Sequence, residues 1–466
     1  MIWWLLPLVS VSDAPSFAAD VAPILHRRCA SCHMGDKAKG GWSAETYGRL
    51  TVPGDTGETP LVPGNPGASE LFRLMASDDE FERMPSSGDP VPAEELEVLR
   101  DWIQGGAEVP TEQQDVSLAE LSARSTRHAP APEHYAHPLA VTALSFTADG
   151  QRILTSGVRE VLAFDVTSGR LVHRYGGLPQ RIHSIVPEGE GSIAVAGGLA
   201  GSAGELRRVA LGGGEVAPAV DVFRDLALGV AVSSDGTKLA ACAADGSVAC
   251  YDASTGRRLW KSELHTDHVA DLAFTATGEF VITASRDHSA KVYAAETGEL
   301  WTSYTRHTQT LPDREMYQHA IFAVATGPGS DRVVTAGEGG EVHVWEPRLY
   351  RAEDGTASQM ETRFKAKSHV RTARLSGGDI LDLAVTADTI YAATRSGEVV
   401  ALDARPEGGL KATVLMSRPG DACFSLALSP DGERLAAGTS SGRIFLWDLL
   451  VDPSKAPAEP LLIVRP

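Results

Sequence analysis

The sequence predicts two domains of different class, a small all-α domain followed by a larger all-β domain. Apolar residues recur at helical spacing in two stretches of the first 110 residues, whereas strand-like alternation punctuated by turns fills the chain from about residue 137 onwards. The 466 residues include 46 glycines and 27 prolines but only 6% aromatic residues, a composition typical of a turn-rich β protein. The formal charge of -19 argues against nucleic acid or an anionic membrane as the main partner.

The chain opens with the apolar stretch Met1–Val11, which is too short to span a membrane. It has the character of the hydrophobic part of a secretory signal, with cleavage expected near Ser12–Ala14, although no lysine or arginine precedes it. The alternative is a short apolar tail. We therefore predict a signal peptide over residues 1–12 and no transmembrane span.

Two predicted helices frame the small domain. The first covers Ser16–Arg28, in which Pro23 marks either a kink or the true start of the helix. The second covers Pro92–Gln104 and is followed by a pair of glycines. We expect Phe17 of the first helix to contact Trp102 of the second.

Directly after the first helix comes the motif C-A-S-C-H at residues 29–33, the pattern by which haem c is attached. Cys29 and Cys32 lie about one turn apart, so their thiols can reach the two vinyl groups of one porphyrin, and His33 is then placed as the proximal ligand of the iron. A thiol redox site or half of a zinc site would also use C-x-x-C, but neither requires the histidine. A zinc site would need a second cysteine pair, whereas the next cysteine is Cys242.

Met84, which precedes Pro85, is the predicted sixth ligand of the iron. Its thioether is a soft donor that raises the reduction potential, and the proline holds its backbone extended. Met75 competes for this role, but it lies in a predicted short helix over Ser69–Met75, capped by Ser69, where packing is the favoured role. Met34 is adjacent to the proximal histidine and cannot reach the opposite face of a haem.

The first 110 residues resemble the planctomycete-type cytochrome c domain. The matching residues are Phe17, Asp20, Val21, Pro23, Ile24, Leu25, Cys29, Cys32, His33, Gly40, Gly41, Trp42, Val62, Pro63, Gly64, Pro66, Ser69, Leu71, Met84, Pro85, Leu99, Trp102, Ile103, Gly106 and Ala107. The resemblance implies one covalent haem c with His33 and Met84 as iron ligands. The chain departs from the family at Ser86, where a second proline is usual. Covalent haem attachment normally takes place outside the cytoplasm, so the resemblance also implies a periplasmic, secreted or cell-surface protein.

Internal repeats define the second half of the chain. The segments LSFTADGQRILTSGVREVLAFD, VAVSSDGTKLAACAADGSVACYD and LALSPDGERLAAGTSSGRIFLWD each read strand, turn, strand, turn, strand. The third strands of successive repeats end near Phe164, Tyr251, Tyr293, Trp345, Leu402 and Trp447, with Glu205–Val209 as a degenerate strand between the first two. Seven repeats result, and they resemble the WD-repeat β-propeller family. We therefore predict a cytochrome c-like domain at 13–109, a linker at 110–136 and a seven-bladed propeller at 137–466.

The fourth repeat matches that family best. Four of its residues stand where the family has a structural hydrogen-bonded brace, so the resemblance implies a structural rather than a catalytic role for His268, Ser285, Asp287 and Tyr293. Leu461–Val464 is the candidate strand that closes the ring, and a strand near Tyr135 is the alternative. Insertions around His307–Gln318 and Leu349–Arg371 are where binding is expected.

Together these patterns predict an exported monohaem c-type cytochrome that transfers one electron, with the propeller as a platform for a protein partner. The acidic run Asp78–Glu82 is either a solvated face or a docking patch for a basic redox partner. We predict an electron-transfer protein rather than a catalyst. One alternative is an oxidoreductase whose propeller carries a second redox site, although the available histidines show no pairing in the sequence: His183, His319, His343 and His369. The other is a haem-linked sensor or scaffold that binds a ligand after Met84 dissociates.

Overall fold

The computed structural model describes residues 15–34, 38–86, 89–214, 216–311, 314–327, 331–347, 370–405, 409–450 and 462–463. The expected signal peptide, nearly all of the expected insertion at Leu349–Arg371, and His369 lie outside the described residues. The chain divides into two compact units, Met1–Thr126 and Arg127–Pro466. Among the described residues, none of the helices combines the length and the apolar character needed to cross a membrane.

The first unit is helical. After a π-helical turn at Phe17–Val21, its α-helices are α1 (Ala22–His33), α2 (Tyr47–Leu50), α3 (Glu70–Met75), α4 (Ala93–Gln104) and α5 (Leu118–Arg124). Short 3-10 turns lie at Lys39–Gly41, Pro66–Ala68 and Thr111–Gln113. Among the described residues of this unit, Thr46 and Ser117 form one isolated β-bridge.

Helices α1 and α4 form the frame of the unit. Pro23 stands in the first turn of α1, where its missing N–H has no helical acceptor to lose, so it marks the start of the helix. The helix then continues through His33, five residues beyond the predicted end. The rings of Phe17 and Trp102 stack at 5.4 Å, which confirms the expected contact. Arg28 and Glu95 form an ion pair between the two helices at 2.8 Å.

Two local expectations in this unit are wrong. The segment from residue 111 to 124 was expected in a linker, but Leu118 and Leu121 of α5 are buried in the core of the first unit. Ser69 precedes α3 without a side-chain cap. Its buried hydroxyl group instead accepts the Val62 N–H at 2.9 Å and donates to the Asn65 carbonyl at 2.9 Å, because the turn before α3 folds over it.

The second unit is a seven-bladed β-propeller, as predicted. In the described part of the chain, each blade is a four-stranded antiparallel sheet. The blades are, in order, β1–β4 (Leu144–Phe146, Arg152–Ser156, Glu160–Asp165, Leu171–Gly176), β5–β8 (Arg181–Glu188, Ser192–Leu199, Ala203–Ala210, Asp221–Phe223), β9–β12 (Ala227–Val232, Lys238–Ala243, Val248–Asp252, Arg258–Ser262), β13–β16 (Val269–Phe274, Phe280–Ser285, Ala290–Ala294, Leu300–Tyr304), β19–β22 (Ile321–Thr326, Val333–Gly337, Glu341–Trp345, Arg371–Arg374), β23–β26 (Ile380–Val385, Thr389–Thr394, Glu398–Asp403, Ala412–Ser417) and β27–β30 (Cys423–Leu428, Arg434–Thr439, Arg443–Asp448, Leu462–Ile463). Every predicted third strand is present, including the degenerate one, which lies in β7.

The ring is completed by the C-terminal strand. Strand β30 pairs with β29 through Arg443 opposite Ile463 and Ile444 opposite Leu462, which confirms the first of the two expected closures. Tyr135 does not lie in a strand, and its hydroxyl group donates to Glu160 on β3 of blade one. On the other side of the junction, Val141 N donates to the Thr439 carbonyl of blade seven at 3.0 Å. Both ends of the propeller sequence therefore contact blade seven.

A two-stranded hairpin, β17 (Thr308–Leu311) and β18 (Arg314–Gln318), projects between blades four and five, where an insertion was expected. It lies outside the four-stranded sheets. The chain leaves and rejoins the blades at one place, because His319 N donates to the His307 carbonyl at 2.8 Å.

The brace of blade four is built from a different histidine than predicted. His265 Nδ1 lies 2.7 Å from Asp287 Oδ2, and its Nε2 lies 2.7 Å from Thr283 Oγ1. The His265 side chain is fully buried, whereas that of His268 is 42% exposed. Ser285 Oγ donates to the His268 backbone carbonyl at 2.9 Å and accepts the Asp287 N–H at 3.1 Å, so its contact with His268 is to the backbone and not to the ring. His268 turns outward because the packed corner beneath Asp287 is already filled by His265.

Candidate functional site

The end of α1 forms one wall of a cavity of about 380 Å³ in the first unit. The i, i+3, i+4 spacing places Cys29, Cys32 and His33 on one face of the helix, and all three line the cavity. Met84 lines it as well. The structure therefore brings the four predicted site residues to a single cavity, of a size usual for a small-molecule or cofactor site.

His33 is oriented by the loop that follows it. Its Nδ1 lies 3.4 Å from the Trp42 carbonyl oxygen, and the two rings meet edge to face at 5.0 Å. The Trp42 indole N–H is fixed in turn by the Leu50 carbonyl at 3.1 Å. A ligating histidine ordinarily donates its second ring N–H to such an acceptor, so Nε2 is the nitrogen left for an iron. No sequence pattern indicated this partner, because it is a backbone atom nine residues away.

Two methionine side chains reach the cavity. Met84 is 37% exposed, and its backbone N–H donates to the Leu74 carbonyl at 2.9 Å. Met75 is only 3% exposed and packs in the core of the unit, but it also lines the cavity. Both candidates for a sulfur ligand therefore stay open. Met34, at the end of α1, is not among the residues that line the cavity.

The charges around the cavity are mixed. Burial raises the pKa of the Cys29 thiol to about 12, so that it stays protonated at neutral pH. Arg28, which lines the cavity, lowers the pKa of Glu95 through their hydrogen bond. Arg27 and Lys39 also line the cavity and add positive charge.

This donor set fits a haem c. Two thiols at the attachment spacing, an imidazole with its second nitrogen engaged and a thioether sulfur are the groups that such a cofactor requires. Leu71 and Leu74 give the cavity an apolar wall for a porphyrin, and Arg27 and Lys39 offer partners for its carboxylates. When bound, a haem would supply the one-electron chemistry, and the protein would set its ligands and access.

A helical unit with this donor set, followed by a seven-bladed propeller, defines a haem-linked propeller protein. The model of the planctomycete cytochrome C family matches residues 29–88. The model described as outer membrane protein assembly factor BamB matches residues 202–450, more than half of the chain, and the chain belongs to that family through its propeller. The finer assignment to WD repeats stays a prediction.

Two curated relatives match shorter stretches. Eukaryotic translation initiation factor 3 subunit I from Vanderwaltozyma polyspora is 38% identical over 72 residues, which are 16% of this chain and 21% of the relative. Telomerase protein component 1 from Mus musculus is 26% identical over 226 residues, which are 48% of this chain and 8% of the relative. The chain thus spans about a fifth of the first relative and less than a tenth of the second.

Proposed function

We propose that the protein is an exported monohaem c-type cytochrome that transfers one electron and uses its propeller as a protein-interaction platform. One observation carries the proposal: Cys29, Cys32, His33 and Met84 line the same cavity, in the domain that matches the planctomycete cytochrome family. In this proposal the two thiols attach one haem covalently, and the iron takes His33 and Met84 as its axial ligands.

Each residue then has a distinct role. The Trp42 carbonyl holds the His33 ring in one orientation, which favours ligation through Nε2. The hydrogen bond from Met84 N to the Leu74 carbonyl anchors the loop that presents the sulfur. Because a thioether favours ferrous iron, Met84 would set a higher potential than a ligand with a harder donor atom.

Visible spectroscopy of the protein, expressed with export and haem-maturation machinery, tests the ligands. We expect haem to remain on the chain in a denaturing gel, and the oxidised protein to show a sulfur–iron charge-transfer band. Met84→Leu should abolish the band and lower the reduction potential, whereas Met75→Leu, the matched control, should keep both. Loss of the band only in Met75→Leu would reassign the ligand, and absence of covalent haem would refute the proposal.

The run Asp78–Glu82 is the proposed docking patch for a basic redox partner. All of its residues are exposed, and the Phe81 side chain is 100% exposed between acidic neighbours. It directly precedes the loop that carries Met84, so a partner bound there would be near the cavity. A solvated face is the alternative, and electron-transfer rates to a basic cytochrome partner that do not change with ionic strength would favour it.

The two matched families support the location. Planctomycete cytochrome and BamB-type domains are typical of proteins outside the cytoplasm, which agrees with the signal peptide predicted at residues 1–12. Periplasmic, secreted or cell-surface placement is therefore part of the proposal. Fractionation of cells that express the full chain tests it, and haem-free protein in the cytoplasm would contradict it.

Two measurements separate this proposal from the alternatives. A sensor or scaffold would bind carbon monoxide rapidly in the ferrous form, because its sixth ligand leaves easily, whereas a His/Met-ligated iron should bind it slowly. An oxidoreductase with a second redox site would show a second redox-active centre in the purified protein. We expect neither result.

A further inference from the structure

Blades four and five share a buried histidine but differ in what holds it. In blade four, His265 is bonded on one side to Thr283 and on the other to Asp287. In blade five, His307 Nε2 keeps the bond to the corresponding threonine, Thr335, at 2.9 Å.

The acidic partner is missing from blade five. Asp287 follows Thr283 by four residues, and the residue at that spacing from Thr335 is Gly339. A Cβ at Gly339 would lie 2.5 Å from Cε1 of His319, so a side chain at this position would require the His319 ring to move. His307 Nδ1 is consequently buried without a hydrogen-bond partner among the described residues.

Two metal-ligand side chains from the third strand of the blade stand beside His307. The His343 ring stacks on the His307 ring at 3.8 Å, and His343 Nε2 lies 3.5 Å from Glu341 Oε2. One ligand atom from each of the three residues lies within 4.8 Å of the others, and the described residues contain no second such group. Glu341 Oε2, like His307 Nδ1, has no hydrogen-bond partner among the described residues.

The two imidazoles are held from behind, as in a prepared metal site. Thr335 engages His307 Nε2, and the Tyr304 hydroxyl group engages His343 Nδ1 at 2.7 Å. The Tyr304 ring stacks at 4.4 Å on Trp345, whose indole N–H donates to Thr335 at 3.1 Å. These contacts leave His307 Nδ1 and His343 Nε2 for a ligand, with their orientation fixed by outer partners.

The electrostatics favour a cation in this place. Burial, together with the neighbouring His343 and His319, lowers the pKa of His307 well below its usual value, so the imidazole is neutral, as a metal ligand must be. Burial acts to raise the pKa of Glu341, but His343, His319 and Arg374 outweigh it and lower that pKa. An ionised carboxylate therefore stands beside the neutral His307 imidazole.

We propose that His307, Glu341 and His343 bind a divalent transition-metal ion of the zinc class in blade five. Two imidazoles and one carboxylate form a known zinc ligand set, with a fourth position for water. Because zinc holds nitrogen and oxygen ligands at about 2.0–2.2 Å, the three atoms must draw together on binding. The site lies where the β17–β18 hairpin leaves the blade, and it does not depend on the haem proposed for the first unit.

Isothermal titration with ZnCl₂ tests the site in the full chain after chelator treatment and dialysis. Because Cys29, Cys32 and His33 could also take zinc in haem-free protein, the titration is repeated in the Cys29→Ser/Cys32→Ser variant. We expect one zinc ion per chain in the Cys29→Ser/Cys32→Ser variant, and any second zinc ion in the unsubstituted chain is assigned to the cysteine motif. Glu341→Gln and His343→Gln should each weaken binding at least tenfold, whereas His173→Gln, which alters an exposed histidine on β4, should not.

Thermal unfolding shows whether a variant that loses zinc binding is still folded. Zinc should raise the melting temperature of the wild type and of His173→Gln, because it binds only the folded state, and it should not raise that of Glu341→Gln. Equal zinc affinity in all variants, or no zinc binding by the wild type, would overturn the proposal. Either result would identify the cluster as a purely hydrogen-bonded brace.

Discussion

Two partly buried aspartates on first strands join neighbouring blades. Asp271 on β13 accepts the Val324 N–H of blade five at 2.9 Å, and Asp382 on β23 accepts the Leu426 N–H of blade seven at 2.6 Å. Removal of water by the packed inner strands raises the pKa of Asp271 to about 6 and, with the charge of Asp271, that of Asp382 to about 8. Both values lie above the ordinary value of about 3.9.

These shifts predict that the free energy of unfolding falls as the pH rises. Below about pH 4 both carboxyl groups are protonated in the folded and unfolded states. As the pH rises towards 8, the unfolded chain releases the Asp382 proton while the folded chain retains it. By linkage, the contribution of Asp382 to the free energy of unfolding is largest below its pKa in the unfolded chain. It is lost as the pH rises through its pKa in the folded protein.

Asp382→Asn, which mimics the protonated carboxyl group, should therefore be more stable than the wild type at pH 8.5 and nearly equal to it at pH 4. Urea unfolding at the two pH values measures this difference. Asp388→Asn alters an exposed residue and serves as the control. A variant that is less stable than the wild type at pH 8.5 would show that folding does not raise the pKa of Asp382.

At the scale of one blade, the His265 brace fixes the corner between two strands. His265 joins Asp287, in the turn after β14, to Thr283 on β14 itself. Removing a partner from a buried hydrogen bond typically costs about 1–3 kcal/mol. We expect His265→Gln to lower the free energy of unfolding by that amount.

The matched control is His268→Gln, three residues along the same connection. Its side chain is 42% exposed and lies outside the brace, so the substitution should change the free energy of unfolding by less than about 0.5 kcal/mol. Chemical denaturation of the two variants compares them directly. A larger effect at His268 than at His265 would contradict the brace described here.

The blades themselves were predictable from the sequence, and the reason lies in their strands. Apolar and polar residues alternate in each third strand strongly enough to identify it from the sequence. Even the degenerate strand Glu205–Val209 lies in β7, the third strand of blade two. The connection that holds His265 and His268 has no periodicity, so the sequence could not show which imidazole turns inward. Helix α5 was placed in the linker for the same reason, because seven residues with two buried leucines give too short a pattern.

The site of the first unit was predictable in its covalent motif and less so in its surroundings. The spacing of residues 29–33 identified the thiols and the imidazole. The Trp42 carbonyl that orients His33, and the presence of Met75 in the cavity, depend on how loops return to α1. The cluster around His307 also escaped notice, because its residues come from a connection and from a strand 34 residues further on.

At the scale of the whole propeller, stability depends on the closing strand. Strand β30 supplies the fourth strand of blade seven and covers the edge of β29. A chain that ends after Leu450 lacks β30 and should melt at a lower temperature and associate through the uncovered edge. A chain that ends after Ile463 retains the strand and is the control. Calorimetry and light scattering measure the two effects, and equal behaviour of both chains would show that β30 adds nothing.

The β17–β18 hairpin leaves blade four and returns to blade five at the point where the His319 N–H donates to the His307 carbonyl oxygen. The packing of blades four and five therefore depends on the two ends of the hairpin. The length of the hairpin itself can change. A peptide tag or a fluorescent reporter spliced between Leu311 and Arg314 should leave the seven sheets intact. Such a graft would place an engineered label close to the histidine cluster, so that occupancy there could be followed in living cells.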